Sequence, residues 1–208
     1  MHLEQAAQVM KAGKPMFIDK PIAGHLNEAI AIFELSKKYN VPLFSSSSLR
    51  YTAATQEIHN GKYGEVIGAD SYGPDNSEPS HGDFTWYGIH AVEALYAVMG
   101  TGCKEVSCAS VPGTEVATGI WEGDRIGTFR ANVKAKYVFG GTVFTKEGAF
   151  QMGSEIPYEA LLQRIIGFFD TGVVPVTPQE TIEIFTFMEA ASVSKARGGV
   201  PVMMSEVY

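Results

Sequence analysis

The fold is decided by a short stretch near the start of the chain, where residues 15–21 read Pro-Met-Phe-Ile-Asp-Lys-Pro. The apolar run 16–18, bounded by turn residues, predicts a buried strand. Residues 25–39 follow with apolar side chains at helical spacing, and residues 41–44 predict a second buried strand. Strand, helix and strand in this order predict parallel pairing with a right-handed crossover.

These first elements are too few to make a stable domain. A helix predicted over residues 3–12 precedes the first strand, but a parallel sheet of two strands buries too little area to stand alone. We therefore expect the chain to begin in the middle of a doubly wound domain, of which residues 1–48 are a remnant.

The rest of the chain predicts a different architecture. Helices are predicted over residues 52–59, 88–99, 158–169 and 179–196, and strands over residues 64–72, 106–111, 116–121, 126–133 and 137–144. The last four strands alternate apolar and polar residues with short turns between them, which predicts an antiparallel meander. A mainly antiparallel sheet with helices on one face is an α+β arrangement. We expect residues 49–208 to form a second domain of this kind.

Composition excludes several classes of protein. The chain of 208 residues is 45% hydrophobic and 19% charged, as is usual for globular proteins. Its net charge of -7 argues against a nucleic-acid partner, and no apolar run approaches the roughly 18 residues needed to span a membrane. Cys103 and Cys108 lack zinc-site spacing and predict free thiols. We expect a soluble, cytoplasmic protein with no metal.

Two motifs carry a resemblance to a known family. The segment Phe17-Ile18-Asp19-Lys20-Pro21 resembles the Glu-Lys-Pro segment of the glucose-fructose oxidoreductase and inositol dehydrogenase (Gfo/Idh/MocA) family, with Asp19 in place of Glu. Residues 88–95, Gly-Ile-His-Ala-Val-Glu-Ala-Leu, resemble the family's Gly-x-His-x-x-Asp helix, with Glu93 for the last acid. The match runs from about residue 3 to the end. It implies that residues 1–48 are the remnant of a Rossmann-type dinucleotide-binding domain. It further implies that residues 49–208 form a dihydrodipicolinate reductase-like C-terminal α/β domain for substrate binding and oligomerisation, in an NAD(P)-dependent sugar or polyol dehydrogenase.

The resemblance also implies roles for particular residues. Lys20 would contact the substrate and the nicotinamide, together with its neighbours Asp19 and Pro21, at the end of a strand where open α/β sheets bind ligands. His90 would be the acid/base that accepts or returns the proton of the substrate hydroxyl. Pro21 would fix the backbone that aims Lys20. The catalytic residues predicted are therefore Lys20 and His90.

Further substrate contacts are expected from donors and aromatic faces, both of which polyols need. The candidates are Arg50, Tyr51, Tyr72, Trp86, Tyr87 and Glu93. Many family members have an Asp one turn before the histidine, where this chain has Trp86. Trp86 could stack on a sugar ring or serve as a packed aromatic anchor, and Asp83 or Glu93 could replace the missing acid.

The family's dinucleotide fingerprint, Gly-x-Gly-x-x-Gly between a first strand and a helix, does not occur. The glycine-rich stretches 61–68 and 119–127 lie in or beside predicted strands and do not open a helix. We expect NAD or NADP to bind the full-length family members but not this chain alone. The chain is then a fragment of a dehydrogenase, inactive by itself, or a non-catalytic binding or oligomerisation module. A separate polypeptide that supplies the cofactor half is a third possibility.

An oligomer is expected from the predicted sheet. Its exposed face would carry Phe129, Tyr137, Phe139 and Phe144, a sizeable apolar patch if left in water. Packing of two such sheets face to face predicts a homodimer or a higher oligomer.

Overall fold

The computed structural model describes residues 2–76, 78–134 and 136–208. A small parallel sheet pairs β1 (Met16–Phe17) with β2 (Leu43–Phe44), and helix α2 (Leu26–Tyr39) connects them. Helix α1 (His2–Lys11) packs against α2. Helix α2 buries an apolar stripe made of Leu26, Ala29, Ile32 and Phe33. The predicted strand–helix–strand unit is confirmed, because each of its elements has one apolar face to bury.

A larger, seven-stranded sheet forms the rest of the chain. Its strands are β3 (Val66–Pro74), β4 (Cys103–Val111), β5 (Thr114–Trp121), β6 (Arg125–Asn132), β7 (Gly140–Thr145), β8 (Gly148–Gln151) and β9 (Val202–Met203), in the order β8-β7-β3-β6-β5-β4-β9. The remaining helices are α3 (Ala53–His59), α4 (Ile89–Met99), α5 (Tyr158–Thr171), α6 (Pro178–Ala196) and α7 (Met204–Val207). Most strand pairs are antiparallel, which confirms the predicted α+β class.

The predicted meander is wrong at one point. Strands β6 and β7 are not neighbours, because β3 lies between them, parallel to β6 and antiparallel to β7. On its covered face β3 carries Ala69, Ser71 and Gly73, small residues that let α4 cross the middle of the sheet closely. A Cβ on Gly73 would lie 3.2 Å from the Cβ of Ala91 in α4. Strand periodicity cannot reveal this placement, because it depends on which helix packs above.

The predicted apolar patch is partly wrong as well. Phe129 is 1% and Phe139 9% exposed, and both lie on the helix-covered side of the sheet. Tyr137 and Phe144 are exposed as expected. Since side chains alternate between the two faces of a strand, a change of one residue in phase moves the whole apolar set to the other side.

An aromatic layer fills the space between the larger sheet and its helices. The Trp121 ring packs against Tyr96 and Phe187, and its indole N–H donates to the carbonyl of Gly100 at 2.9 Å. Gly119, in the same strand, leaves room for this ring, since a Cβ there would lie 2.5 Å from Cζ3 of Trp121 and 2.8 Å from Cε2 of Phe187. Within the described ranges, no helix is both long and apolar enough to cross a bilayer.

The close fit at Gly119 gives a stability prediction. Gly119→Ala should lower the free energy of unfolding by about 1–3 kcal/mol, because the methyl group forces the two aromatic rings apart. The matched control is Gly167→Ala inside α5, where a Cβ meets nothing within 4 Å. That change should raise stability by about 0.5–1 kcal/mol through helix propensity. Urea unfolding midpoints measure both, and equal midpoints for the two variants would contradict the packing described.

Candidate active site

Lys20 lies just beyond the carboxyl end of β1. Its Nζ is 5.1 Å from the centre of the Tyr87 ring and 5.9 Å from that of Trp86. Partial burial lowers the pKa of Lys20, while the carboxylates of Asp19 and Glu93 oppose that shift. Asp19 itself is exposed, and Lys20 is joined to the next residue by a cis peptide bond. Lys20 is therefore a half-buried ammonium group above two aromatic faces.

His90 occupies the first turn of α4. A buried carboxylate holds the start of this helix, because the Gly88 N–H donates to Oδ1 of Asp75 at 3.1 Å. The His90 ring contacts Tyr87 and Phe139, with ring centres 5.4 and 5.5 Å apart. Burial, with a further contribution from the charge of Lys20, lowers the pKa of His90 to about 3. The imidazole is therefore neutral at physiological pH.

A short run of serines after β2 holds the histidine from behind. Ser47 Oγ lies 2.8 Å from His90 Nδ1, and the Ser47 N–H donates to Glu93 Oε2 at 2.8 Å. Ser46 Oγ donates to Glu93 Oε1 at 2.6 Å. Among the residues that the structure describes, Glu93 is therefore connected to His90 by hydrogen bonds through Ser47. Asp83, the other acid considered as an orienting partner, instead pairs with Lys195 at 2.9 Å.

Beneath these serines lies a buried ion pair. Arg50 Nε donates to Glu93 Oε1 at 3.0 Å, and the two residues are 5% and 4% exposed. A second guanidinium nitrogen of Arg50 pairs with Glu180 on α6. Burial opposes the charge on Arg50, but Glu93 and Glu180 outweigh it and keep its pKa above the ordinary value. Burial raises the pKa of Glu93, and Arg50 with the serine hydrogen bonds works against that rise.

The structure brings together most of the predicted site residues, but in two layers. Lys20, Trp86, Tyr87 and His90 form an upper layer in which Trp86 is 40% exposed. Arg50, Glu93 and the buried Tyr51 form the layer below. Tyr72 is elsewhere, on the open face of the larger sheet beside Gly140. Its strand neighbour Gly73 faces α4, so the sheet separates Tyr72 from His90.

Ser46 and Ser47 were not among the site residues predicted from the sequence. One signal was available, since both residues come within three positions of the end of a buried parallel strand. The carboxyl ends of such strands are where open α/β sheets place polar groups around a ligand.

Asp19, Lys20 and Pro21, which were expected to contact a nicotinamide, lie just beyond the carboxyl end of β1. The start of α2 does not offer a phosphate cradle, because the Gly24 N–H already donates to the Glu28 carboxylate at 3.1 Å. A Cβ on Gly24 would also lie 2.8 Å from the Ser80 carbonyl oxygen, so the backbone there is already approached by protein.

Comparison with known proteins gives relatives among oxidoreductases. No family model matches the chain. An uncharacterised oxidoreductase of Escherichia coli, YhhX, is 26% identical over 111 residues, which is 48% of this chain and 32% of that protein. An uncharacterised oxidoreductase of Schizosaccharomyces pombe is 32% identical over 76 residues, or 35% of this chain and 21% of that protein. The matched stretches thus span a third or less of these curated relatives.

Solved structures establish the fold. A probable dehydrogenase from Thermotoga maritima superposes with a TM-score of 0.84 at 20% identity, covering 99% of this chain and 78% of that one. Myo-inositol 2-dehydrogenase from Lactobacillus plantarum gives 0.80 at 18% identity, covering 97% and 77%. Myo-inositol dehydrogenase from Lactobacillus casei, in complex with NAD(H) and myo-inositol, gives 0.78 at 14%, covering 97% and 74%. The chain therefore shares its fold with these dehydrogenases, in agreement with the fold that the motif resemblance predicted.

The buried ion pair gives a second stability prediction. Arg50→Met should lower the free energy of unfolding by about 3–5 kcal/mol, because it leaves the Glu93 carboxylate buried without a counter-charge. The matched control is Arg197→Met, whose partner Glu206 is exposed. Exposed pairs contribute at most about 1 kcal/mol, so the control should scarcely shift the urea midpoint. Similar losses in both variants would show that Arg50 does not act through burial.

Proposed function

We propose that this chain provides the substrate-binding and proton-handling part of a nicotinamide-dependent oxidoreductase for a sugar or polyol. The observation that carries the proposal is that Lys20 and His90, far apart in sequence, both lie against the Tyr87 ring, with the Lys20 Nζ 5.1 Å and the His90 ring centre 5.4 Å from its centre. The relatives named above are oxidoreductases, and two of the similar structures are inositol dehydrogenases. On this proposal, residues 1–48 belong to the cofactor half and residues 49–208 form the substrate domain.

Lys20 and His90 hold the reacting oxygen of the substrate and handle its proton. Lys20 has the chemistry for this role, since a lowered pKa makes an ammonium group a better proton donor and its amine available at lower pH. His90 is neutral and offers a directed ring nitrogen rather than a second charge. A bound nicotinamide would supply or accept the hydride at the substrate carbon.

The surrounding residues select and orient a polyol. Trp86 and Tyr87 present aromatic faces beside the Lys20 ammonium, a surface suited to the C–H face of a sugar ring. Arg50, Tyr51 and Glu93 act from the lower layer by holding the serine run and His90 in place. Tyr72 reaches a substrate only if the open sheet face of another copy adjoins that substrate's site.

We further propose that this chain alone does not bind the dinucleotide, because the described residues fit only its nicotinamide end.

A second function, a non-catalytic polyol-binding module, is favoured by one observation. Trp86 lies four residues before His90, in the turn that precedes α4, and among the described residues no carboxylate makes a hydrogen bond with the imidazole. The two functions differ in whether the protein, provided with the cofactor half, transfers hydride.

Binding measurements test the proposed site. Myo-inositol should bind the purified chain saturably, and Lys20→Met should weaken binding by about tenfold or more through loss of a charge-assisted hydrogen bond. Lys38→Met is the matched control, because its ammonium also lies near an aromatic ring, that of Tyr39 at 5.7 Å, but on α2 away from the cluster. Equal affinities for the two variants would contradict the assignment of Lys20.

Cofactor titration separates the remaining possibilities. NADH and NADPH fluorescence should show no saturable binding to the chain alone, and saturable binding at micromolar concentration would overturn that part of the proposal. Protein isolated from its source cells should reduce NAD or NADP in the presence of a polyol, with Lys20→Met slower by a factor of about 10²–10⁴. Polyol binding without any hydride transfer in that preparation would favour the non-catalytic module.

We also propose that the open face of the larger sheet pairs two copies. Ile126 and Phe144 are 51% and 39% exposed there, with Val116 and Ile120 on the neighbouring strand β5. Two such faces would pack about 10 Å apart.

Ile126→Lys should convert a dimer to a monomer in size-exclusion chromatography with light scattering, because pairing would bury the lysine's charge. Val173→Lys, at an exposed position just after α5, should not change the mass. A monomeric wild type would contradict the pairing.

A further inference from the structure

The hydrogen bond between Ser47 and His90 bears on which ring nitrogen of His90 carries the proton. Ser47 is fully buried, so its hydroxyl proton has no access to bulk water. Its oxygen already accepts the Leu49 N–H at 3.2 Å. A buried hydroxyl whose proton lacks an acceptor is destabilising, so the proton is expected to have one.

His90 Nδ1 is the acceptor that the geometry provides. It lies 2.8 Å from Ser47 Oγ, and within the described parts of the chain no other acceptor makes a hydrogen bond with that hydroxyl. A neutral imidazole has one N–H and one bare nitrogen. If Nδ1 accepts from Ser47, the ring proton must be on Nε2.

The neighbouring groups stabilise the same arrangement. The Ser47 N–H is held by Glu93, which fixes the serine backbone, and Glu93 is fixed in turn by Arg50. Burial and the positive charge of Lys20 both lower the pKa of His90. The imidazole therefore stays neutral and carries a proton on one ring nitrogen only. The opposite tautomer would leave the Ser47 hydroxyl proton without an acceptor.

We propose that Ser47 is a positioning residue that fixes His90 as the Nε2–H tautomer, so that His90 and Lys20 present two hydrogen-bond donors to one ligand oxygen. Such a site favours an oxygen that only accepts hydrogen bonds, and thus the keto form of a polyol over the alcohol. His90 then acts as a fixed donor, and Lys20 Nζ exchanges the proton with that oxygen. The ligand class rests on the proposed function, whereas the tautomer is a property of the free protein.

Nuclear magnetic resonance of ¹⁵N-histidine-labelled protein, without ligand, tests the tautomer. In long-range ¹H–¹⁵N spectra at neutral pH, the His90 ring should show a bare Nδ1 and a protonated Nε2, with His90→Gln used for assignment. Ser47→Ala should produce a mixture of tautomers, and Ser47→Thr should restore the wild-type pattern because it keeps the hydroxyl. Ser45→Ala, a buried serine of the same run, is the control and should leave His90 unchanged.

Two results would overturn the role of Ser47. One is a protonated Nδ1 in the wild type, and the other is a wild-type His90 pattern in Ser47→Ala. Circular dichroism and unfolding midpoints establish that each variant is folded, so that a lost pattern is not a lost fold.

A ligand titration tests the second half of the proposal. Myo-inositol and its 2-keto derivative should differ in affinity by about tenfold in favour of the ketone, as expected for one hydrogen bond of about 1.4 kcal/mol. Ser47→Ala should reduce that preference. Equal or reversed affinities would overturn the donor pair. Failure of both compounds to bind would instead count against the proposed function, while the tautomer stands on the spectra of the free protein.

Discussion

The buried pair of Arg50 and Glu93 is the interaction on which the rest of the site depends. Arg50 follows the small parallel sheet, Glu93 lies on α4 above the larger sheet, and Glu180, the second partner of Arg50, begins α6. One guanidinium group therefore ties together three parts of the molecule. Because charges without partners are costly in a protein interior, these three elements can adopt few other relative positions.

The position of His90 follows from this constraint. Glu93 lies one turn after His90 on α4, so the ion pair sets where the helix stands over the serine run. Glu93 accepts hydrogen bonds from both Ser46 and Ser47, and Ser47 in turn meets His90. In the structure, Arg50 and Glu93 contact each other, Glu180 and the serines that support His90. The substrate contact expected of Arg50 and Glu93 stays a prediction.

The comparison with solved dehydrogenases agrees with this picture at the level of the fold. A likeness at 14–20% identity preserves the order of strands and helices while most side chains differ. The chemistry of the candidate site must therefore be inferred from this chain's own residues. Trp86 stands where the motif resemblance predicts an acid, and the hydrogen bond to the imidazole comes from Ser47, on a different segment.

The amino-acid sequence by itself determined the local elements and the class of fold. Apolar periodicity located the strand–helix–strand unit and the closing helices, and the two motifs singled out Lys20 and His90. Both are local properties, set by neighbours within a few residues along the chain. The bounds of α4 and α6 agree with the prediction to within one residue.

Only the tertiary structure decided the placement of β3 between β6 and β7, the burial of Phe129 and Phe139, and the contact of Ser47 with His90. Each depends on which surface packs against which, across separations of tens of residues. Alternation along a strand reveals that one face is apolar, but not which face a helix will cover. A serine's hydrogen-bond partner is likewise chosen by packing, because its short side chain can bond only to what the fold brings within about 3 Å.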